Sequence, residues 1–192
     1  MKTYFSSLPQ NSVPLETCGF DHWLDDMLEE IDLTVKLAGT AKTKAIAEGE
    51  KAVALDPGGA DAHAWLGINL NYADKPREAI PLFEKAIRLN PFGPAWYFLG
   101  FGNSYRMMGQ YQEAITQYKK VLRIAPNNIF AHIGLAATYS LLGRDEEACV
   151  EAEEVLRSNP KLSLESYAKM LPFKNQAQTD RFVEALRQAG LK

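Results

Sequence analysis

Pro57, Pro91, Pro126 and Pro160 follow one another at intervals of 34, 35 and 34 residues. A beat of that length restricts the chain to folds in which one small supersecondary unit stacks on the next, because a single unit leaves an apolar face uncovered. Each proline closes a similar phrase: Ala54-Leu55-Asp56, Arg88-Leu89-Asn90, Arg123-Ile124-Ala125 and Arg157-Ser158-Asn159. Alanines keep the same step at Ala45, Ala79, Ala114 and Ala148.

Within a unit the apolar spacing is helical. In the third unit Phe98, Phe101, Gly102 and Tyr105 recur at helical spacing and share one helix face. Gly109 breaks that helix and Tyr111 opens a second. Ala114, Tyr118, Val121 and Leu122 form the buried stripe of the second helix, and Pro126 ends it. Small residues such as Gly102 and Ala114 let two helix backbones approach, while the aromatic side chains fill the space around the contact.

This arrangement resembles the tetratricopeptide-repeat (TPR) family, whose pattern runs W-x2-L-G-x2-Y, then A-x3-F, then P. The second unit shows Leu66-Gly67, Ala79, Phe83, Ala86 and Pro91, with His63 in the tryptophan slot and Leu70 in the tyrosine slot. The third shows Gly102, Tyr105, Gly109, Tyr111, Ala114, Tyr118 and Pro126, and the fourth Leu135, Ala136, Tyr139, Gly143, Ala148 and Pro160. The one extra residue of the middle interval falls between Pro91 and Gly102, in the turn between units, where insertion costs least. The first unit is worn: Leu33 replaces the small residue, Lys36 the tyrosine and Gly49 the aromatic.

The resemblance implies an all-α fold, a TPR helical solenoid of antiparallel helix pairs wound into a right-handed superhelix. Residues 1–20 are expected to be a flexible N-terminal segment, 21–57 a degenerate N-terminal repeat and 58–160 three TPR units. Residues 161–192 are expected to supply two C-terminal capping helices, since an array leaves an apolar face at each end. The first runs from Ser163 to Leu171 and stops at Pro172. The second begins near Thr179, places Phe182, Val183, Leu186 and Ala189 on one face, and stops at Gly190.

Leu171-Pro172-Phe173-Lys174, Asp180-Arg181-Phe182 and Ala185-Leu186-Arg187-Gln188-Ala189-Gly190-Leu191 are also similar to the end of TPR segments appended to bacterial adenylate or guanylate cyclases and related signalling regulators. That similarity implies a place in bacterial nucleotide signalling, as a stand-alone relative or as a separated, non-catalytic part of a cyclase-type enzyme. The cyclase and DNA-binding domains of those proteins have no counterpart in this sequence, so neither activity carries over.

No catalytic, metal or cofactor constellation stands out. The sequence has no glycine-rich phosphate loop, no Cys/His ligand spacing and no nucleophile elbow. His63 and His132 share a repeat position and read as packing residues. Cys149 falls in the column of Ile46, Ile80 and Ile115 and is expected to be a small buried hydrophobe. The net charge of −3 gives no pull on a phosphate backbone, so nucleic acid is not an expected partner. No stretch approaches the ~20 apolar residues of a membrane span. Two distant cysteines make no disulfide framework, and the cytoplasm is the expected location.

The functional expectation is carried over from the register of TPR arrays, whose first helices line a concave face. That register assigns Asp61, Ala64, Ile68, Asn71 and Tyr72 to the groove from the second unit, and Trp96, Leu99, Asn103, Arg106 and Met107 from the third. Phe130, Ile133, Ala137, Ser140 and Leu141 come from the fourth, and the worn first unit adds Met27, Glu30, Thr34 and Leu37. The lining is apolar, with Asn71, Asn103 and Arg106 available to a peptide backbone. It lacks the Lys and Asn pairing by which some TPR domains clamp a C-terminal carboxylate. The reading is a non-catalytic scaffold that holds a protein or peptide ligand, an apolar helix or extended segment. The alternatives are a self-associating homo-oligomer whose groove is filled by its own or a neighbour's segment, and the cyclase fragment described above.

Overall fold

The computed structural model describes residues 40–171 and 173–192. The expected flexible segment 1–20, and the first helix of the worn repeat with Met27, Glu30, Thr34 and Leu37, lie outside the described residues. Helix α1 (Thr40–Leu55) precedes three helix pairs: α2 (Ala60–Tyr72) with α3 (Pro76–Leu89), α4 (Ala95–Met107) with α5 (Tyr111–Ile124), and α6 (Ile129–Leu141) with α7 (Asp145–Ser158). Two more helices follow, α8 (Leu164–Met170) and α9 (Gln176–Gln188), and the described residues contain no strand. Three residues join the helices of each pair, a connection that folds the second helix back antiparallel on the first. Packing is densest within the pairs. Between pairs α3 rests on α4 and α5 on α6, while α2, α4 and α6 lie side by side. The described chain is an all-α solenoid.

The three turns inside the pairs are built alike. Asp74, Gly109 and Gly143 have φ of 63, 76 and 70°. The next amide in each returns to the helix, Lys75 N–H to Leu70 O at 2.8 Å, Gln110 to Tyr105 and Arg144 to Tyr139 both at 2.9 Å. This left-handed residue and its long backward bond satisfy carbonyls that the helix end leaves open. Glycine adopts the conformation without a Cβ clash. Asp74 is the non-glycine member, and its carboxylate accepts a bond from Asn175 Nδ2 at 2.9 Å.

Each pair is keyed to the next by one aromatic ring between two glycines. Phe83 of α3 is wholly buried between Gly67 of α2 and Gly100 of α4, where an added Cβ would lie 2.9 and 2.6 Å from the ring. Tyr118 of α5 sits likewise between Gly102 of α4 and Gly134 of α6, at 2.7 Å from both. Burying such a ring is worth roughly 1.5–3 kcal/mol. In α1 the corresponding residue is Gly49, and Leu66 fills the gap, 3.0 Å from where a Cβ would stand. The extra residue of the middle interval lies in the turn Pro91–Pro94, ahead of α4.

The two last helices join the core of the array. Phe182, Ala185 and Leu186 of α9 are buried in one cluster with Tyr118, Ile133 and Leu135, and α9 packs against α6. Gly190, at φ 102°, ends this helix, and Leu191 N–H returns to Leu186 O at 3.1 Å. Val183, expected on the buried face, is half-buried. Cys149 differs from its expectation: it is exposed and free. Its column is covered only where another helix pair stacks outside it. Because α9 lies on α6, that face of α7 faces solvent, with Val150 58% exposed beside it.

His63 and His132 are buried, as packing residues are. His63 Nδ1 lies 2.8 Å from Gly59 O. His132 also carries an ion pair: Nδ1 meets Glu151 Oε2 at 2.6 Å and Nε2 meets Pro126 O at 3.1 Å. With an acceptor at each ring nitrogen, the doubly protonated ring satisfies both. The Glu151 bond chiefly raises the His132 pKa, against the opposing effect of burial.

Candidate peptide groove

Residues 96, 99, 103 and 106 of α4 are spaced by three and four, which aligns them along one helix face. In the structure Trp96, Leu99, Asn103 and Arg106 form the floor of a cavity of about 220 Å³. One wall comes from α2 through Trp65, Ile68, Asn71 and Tyr72, and the other from α6 through Phe130, Ile133 and Gly134. An apolar cavity of about 150 Å³ admits a benzene ring, so this one has room for a large side chain.

The C-terminal segment closes the remaining side. Tyr167, Met170, Leu171, Phe173 and Phe182 all face the cavity. The chain between α8 and α9 reaches back to the end of α2, where Lys174 N–H donates to Tyr72 O at 2.9 Å and the Phe173 ring meets the Tyr72 ring edge-on at 5.8 Å. At the far end Gln178 Nε2 lies 3.5 Å from Met107 O, and Arg181 donates to Tyr111 Oη at 2.6 Å. The tail therefore both ends the solenoid and walls its concave face.

Nine of the fifteen residues that the register assigns to the groove from the second, third and fourth units line this cavity, and Asp61, Ala64, Ala137, Ser140 and Leu141 do not. Met107 does not: it is one residue, about 100° of helix, past Arg106, and its side chain is buried, 8% exposed. Asn71 lines the cavity, yet its amide is engaged inside the fold. Its Nδ2 donates to Gly100 O at 2.9 Å and its Oδ1 accepts from Ser104 Oγ at 2.8 Å. Its expected availability to a peptide backbone is thereby reduced to one amide hydrogen and one acceptor lone pair. Asn103 Oδ1 accepts from Tyr118 Oη at 2.8 Å, and its Nδ2 has no partner among the described residues.

Trp65 was not assigned by register. It stands 52% exposed at the groove edge, with its ring 5.1 Å from that of Trp96, which in turn meets Tyr97 edge-on. Its column continues as Gly100 and Gly134, so a large residue there next to two glycines was the available signal. The tail residues left no such signal, because the repeat beat ends at Pro160.

The polar groups are few and confined. Burial raises the pKa of Tyr72, Tyr118 and Tyr167, and the Arg106 charge partly opposes this for Tyr118 and Tyr167. These phenols remain neutral donors at physiological pH. No three His, Cys, Asp or Glu side chains among the described residues gather to hold a metal ion.

Stacking of helix pairs is an architecture that TPR proteins share. The TPR repeat family model matches residues 102–143, from the middle of α4 to the turn after α6. Subunit cut9 of the anaphase-promoting complex from Schizosaccharomyces pombe is 35% identical over 66 residues, 33% of this chain; the chain spans only 10% of that relative's length. Among solved structures, PilW, a widely conserved type IV pilus biogenesis factor, superposes with a TM-score of 0.62 at 21% identity, covering 88% of this chain and 78% of that one. MamA gives 0.59 at 20% identity over 80% and 90% of the two chains. YrrB, a TPR protein with an unusual peptide-binding site, gives 0.55 at 18% identity over 90% and 91%. At those identities the likeness is one of fold.

Proposed function

We propose that this chain is a non-catalytic scaffold that holds an apolar segment of another polypeptide in its concave groove. The observation that carries this is the pair formed by exposed Trp65 and half-buried Trp96 at the mouth of an apolar cavity on the concave face. Buried aromatics dominate binding energy at interfaces, and a helix or extended segment with a large apolar anchor suits such a groove. The peptide-binding site of YrrB is consistent with the same use of the fold. The resemblance of the tail to cyclase-appended segments supports a setting in bacterial nucleotide signalling, in the cytoplasm. No helix among the described residues is long and apolar enough to cross a membrane.

The test is a pull-down followed by calorimetry with the recovered partner. Trp96→Ala is expected to weaken binding by at least ~1–2 kcal/mol with helical content kept, while Lys119→Ala, on exposed surface of α5, leaves it unchanged. Equal binding by all three proteins places the site elsewhere. A partner unconnected with nucleotide cyclases removes the signalling part of the proposal. Light scattering separates this reading from self-association, in which a second copy fills the groove.

A further inference from the structure

Arg106 lies at one end of the α4 stripe, about 15 Å along the helix from Trp96. Its side chain is only 6% exposed, and its guanidinium rests 4.0 Å from the centre of the Phe182 ring. The Nε atom is buried without a hydrogen-bond partner. Among the described residues no carboxylate lies within 4 Å of it, every ion pair there being made elsewhere. Arginine does not shed its proton inside proteins, so this is a standing charge in an apolar cavity. The face of Phe182 and the Tyr118 phenol offset only part of the cost of burying it. Two further donors line the same cavity: the hydroxyls of Tyr72 and Tyr167 have no hydrogen-bond partner among the described residues.

We propose that the occupant of the groove is an apolar peptide segment carrying one acidic side chain, whose carboxylate pairs with Arg106 while its apolar neighbours lie against Trp96 and Leu99. This rests on the peptide-binding reading above and adds the chemistry of the ligand. A carboxylate matches the fork of a guanidinium with two parallel bonds, and its remaining lone pairs suit the phenols beside it. A neutral or basic segment leaves the cation buried and unpaired, so charge complementarity selects against it.

The test is selection from a random peptide library displayed on phage as N-terminal fusions, which offers no free C-terminal carboxylate. Wild type is expected to enrich apolar peptides with Asp or Glu at a fixed place, and Arg106→Met to keep the apolar preference while losing the acid. A selected peptide and its Glu→Gln or Asp→Asn counterpart are then compared on wild type alone, so folding of a variant is not at issue. The amide peptide is expected to bind about tenfold more weakly or worse. Apolar peptides with no fixed acid, or the same acid enriched by Arg106→Met, overturn this inference and leave the peptide-binding reading standing. No enrichment at all overturns both. Enrichment that appears only after Trp23→Ser and Met27→Ser together assigns the groove to the acidic, apolar stretch 20–32 of this chain and overturns an external partner.

Discussion

Replacing Gly134 by alanine drives a methyl group into the Tyr118 ring. The new Cβ would stand 2.7, 2.8 and 3.0 Å from three ring carbons. The ring has nowhere to retreat, since it is wholly buried, backed by Gly102 on its other face and held through its hydroxyl by Asn103. Overpacking of a core costs ~1–3 kcal/mol, and three contacts this short belong at the upper end. Alanine returns ~1 kcal/mol through its better helix propensity. The net expectation is a loss of about 2 kcal/mol, which lowers the melting temperature by ~4–8 °C in a chain of this size. Thermal and urea unfolding followed by circular dichroism read it. The decisive arm repeats the substitution in a Tyr118→Leu background. There the clash is gone, and Gly134→Ala is expected to be neutral or to stabilise by up to ~1 kcal/mol. An equal loss in both backgrounds refutes the ring-between-glycines account of how the pairs are keyed together.

Two further substitutions probe the ion pair and the tail. The His132 pKa is raised above its ordinary 6.5 in the folded chain, so its contribution is complete below that value and fades as pH rises through the folded pKa. Glu151→Gln should therefore cost more stability near pH ~5.5 than near pH ~8.5, and a pH-independent cost in melting experiments contradicts the pairing. Leu186 is wholly buried, and Leu186→Ala should cost ~2–5 kcal/mol of the whole unfolding transition. A separate early transition of the tail, with the rest unmoved, shows instead that α9 is an appendage.

The sequence alone determined the repeat and most of its local consequences. Prolines at a constant beat mark the ends of second helices, and Gly67, Phe83, Gly102 and Tyr118 recur because a ring fits between two close backbones only where the flanking residue lacks a Cβ. The α4 stripe of Trp96, Leu99, Asn103 and Arg106 was legible for the same reason, since helical spacing places such residues on one face. Asp74 shows the limit of residue type as a signal: it takes the left-handed turn that Gly109 and Gly143 take, and a bond from the distant Asn175 holds it. What only the tertiary structure decided involves residues far apart in the chain and outside the repeat register. It set α9 upon α6, leaving Cys149 exposed, turned Asn71 inward to Gly100 and Ser104, and brought Phe173 and Lys174 back to Tyr72. Periodicity constrains which residues share a face of one helix. It carries no information on where a non-repeating tail finds the apolar surface that best covers its own, and that choice, made by packing, shaped the groove and left Arg106 within it without a carboxylate among the described residues.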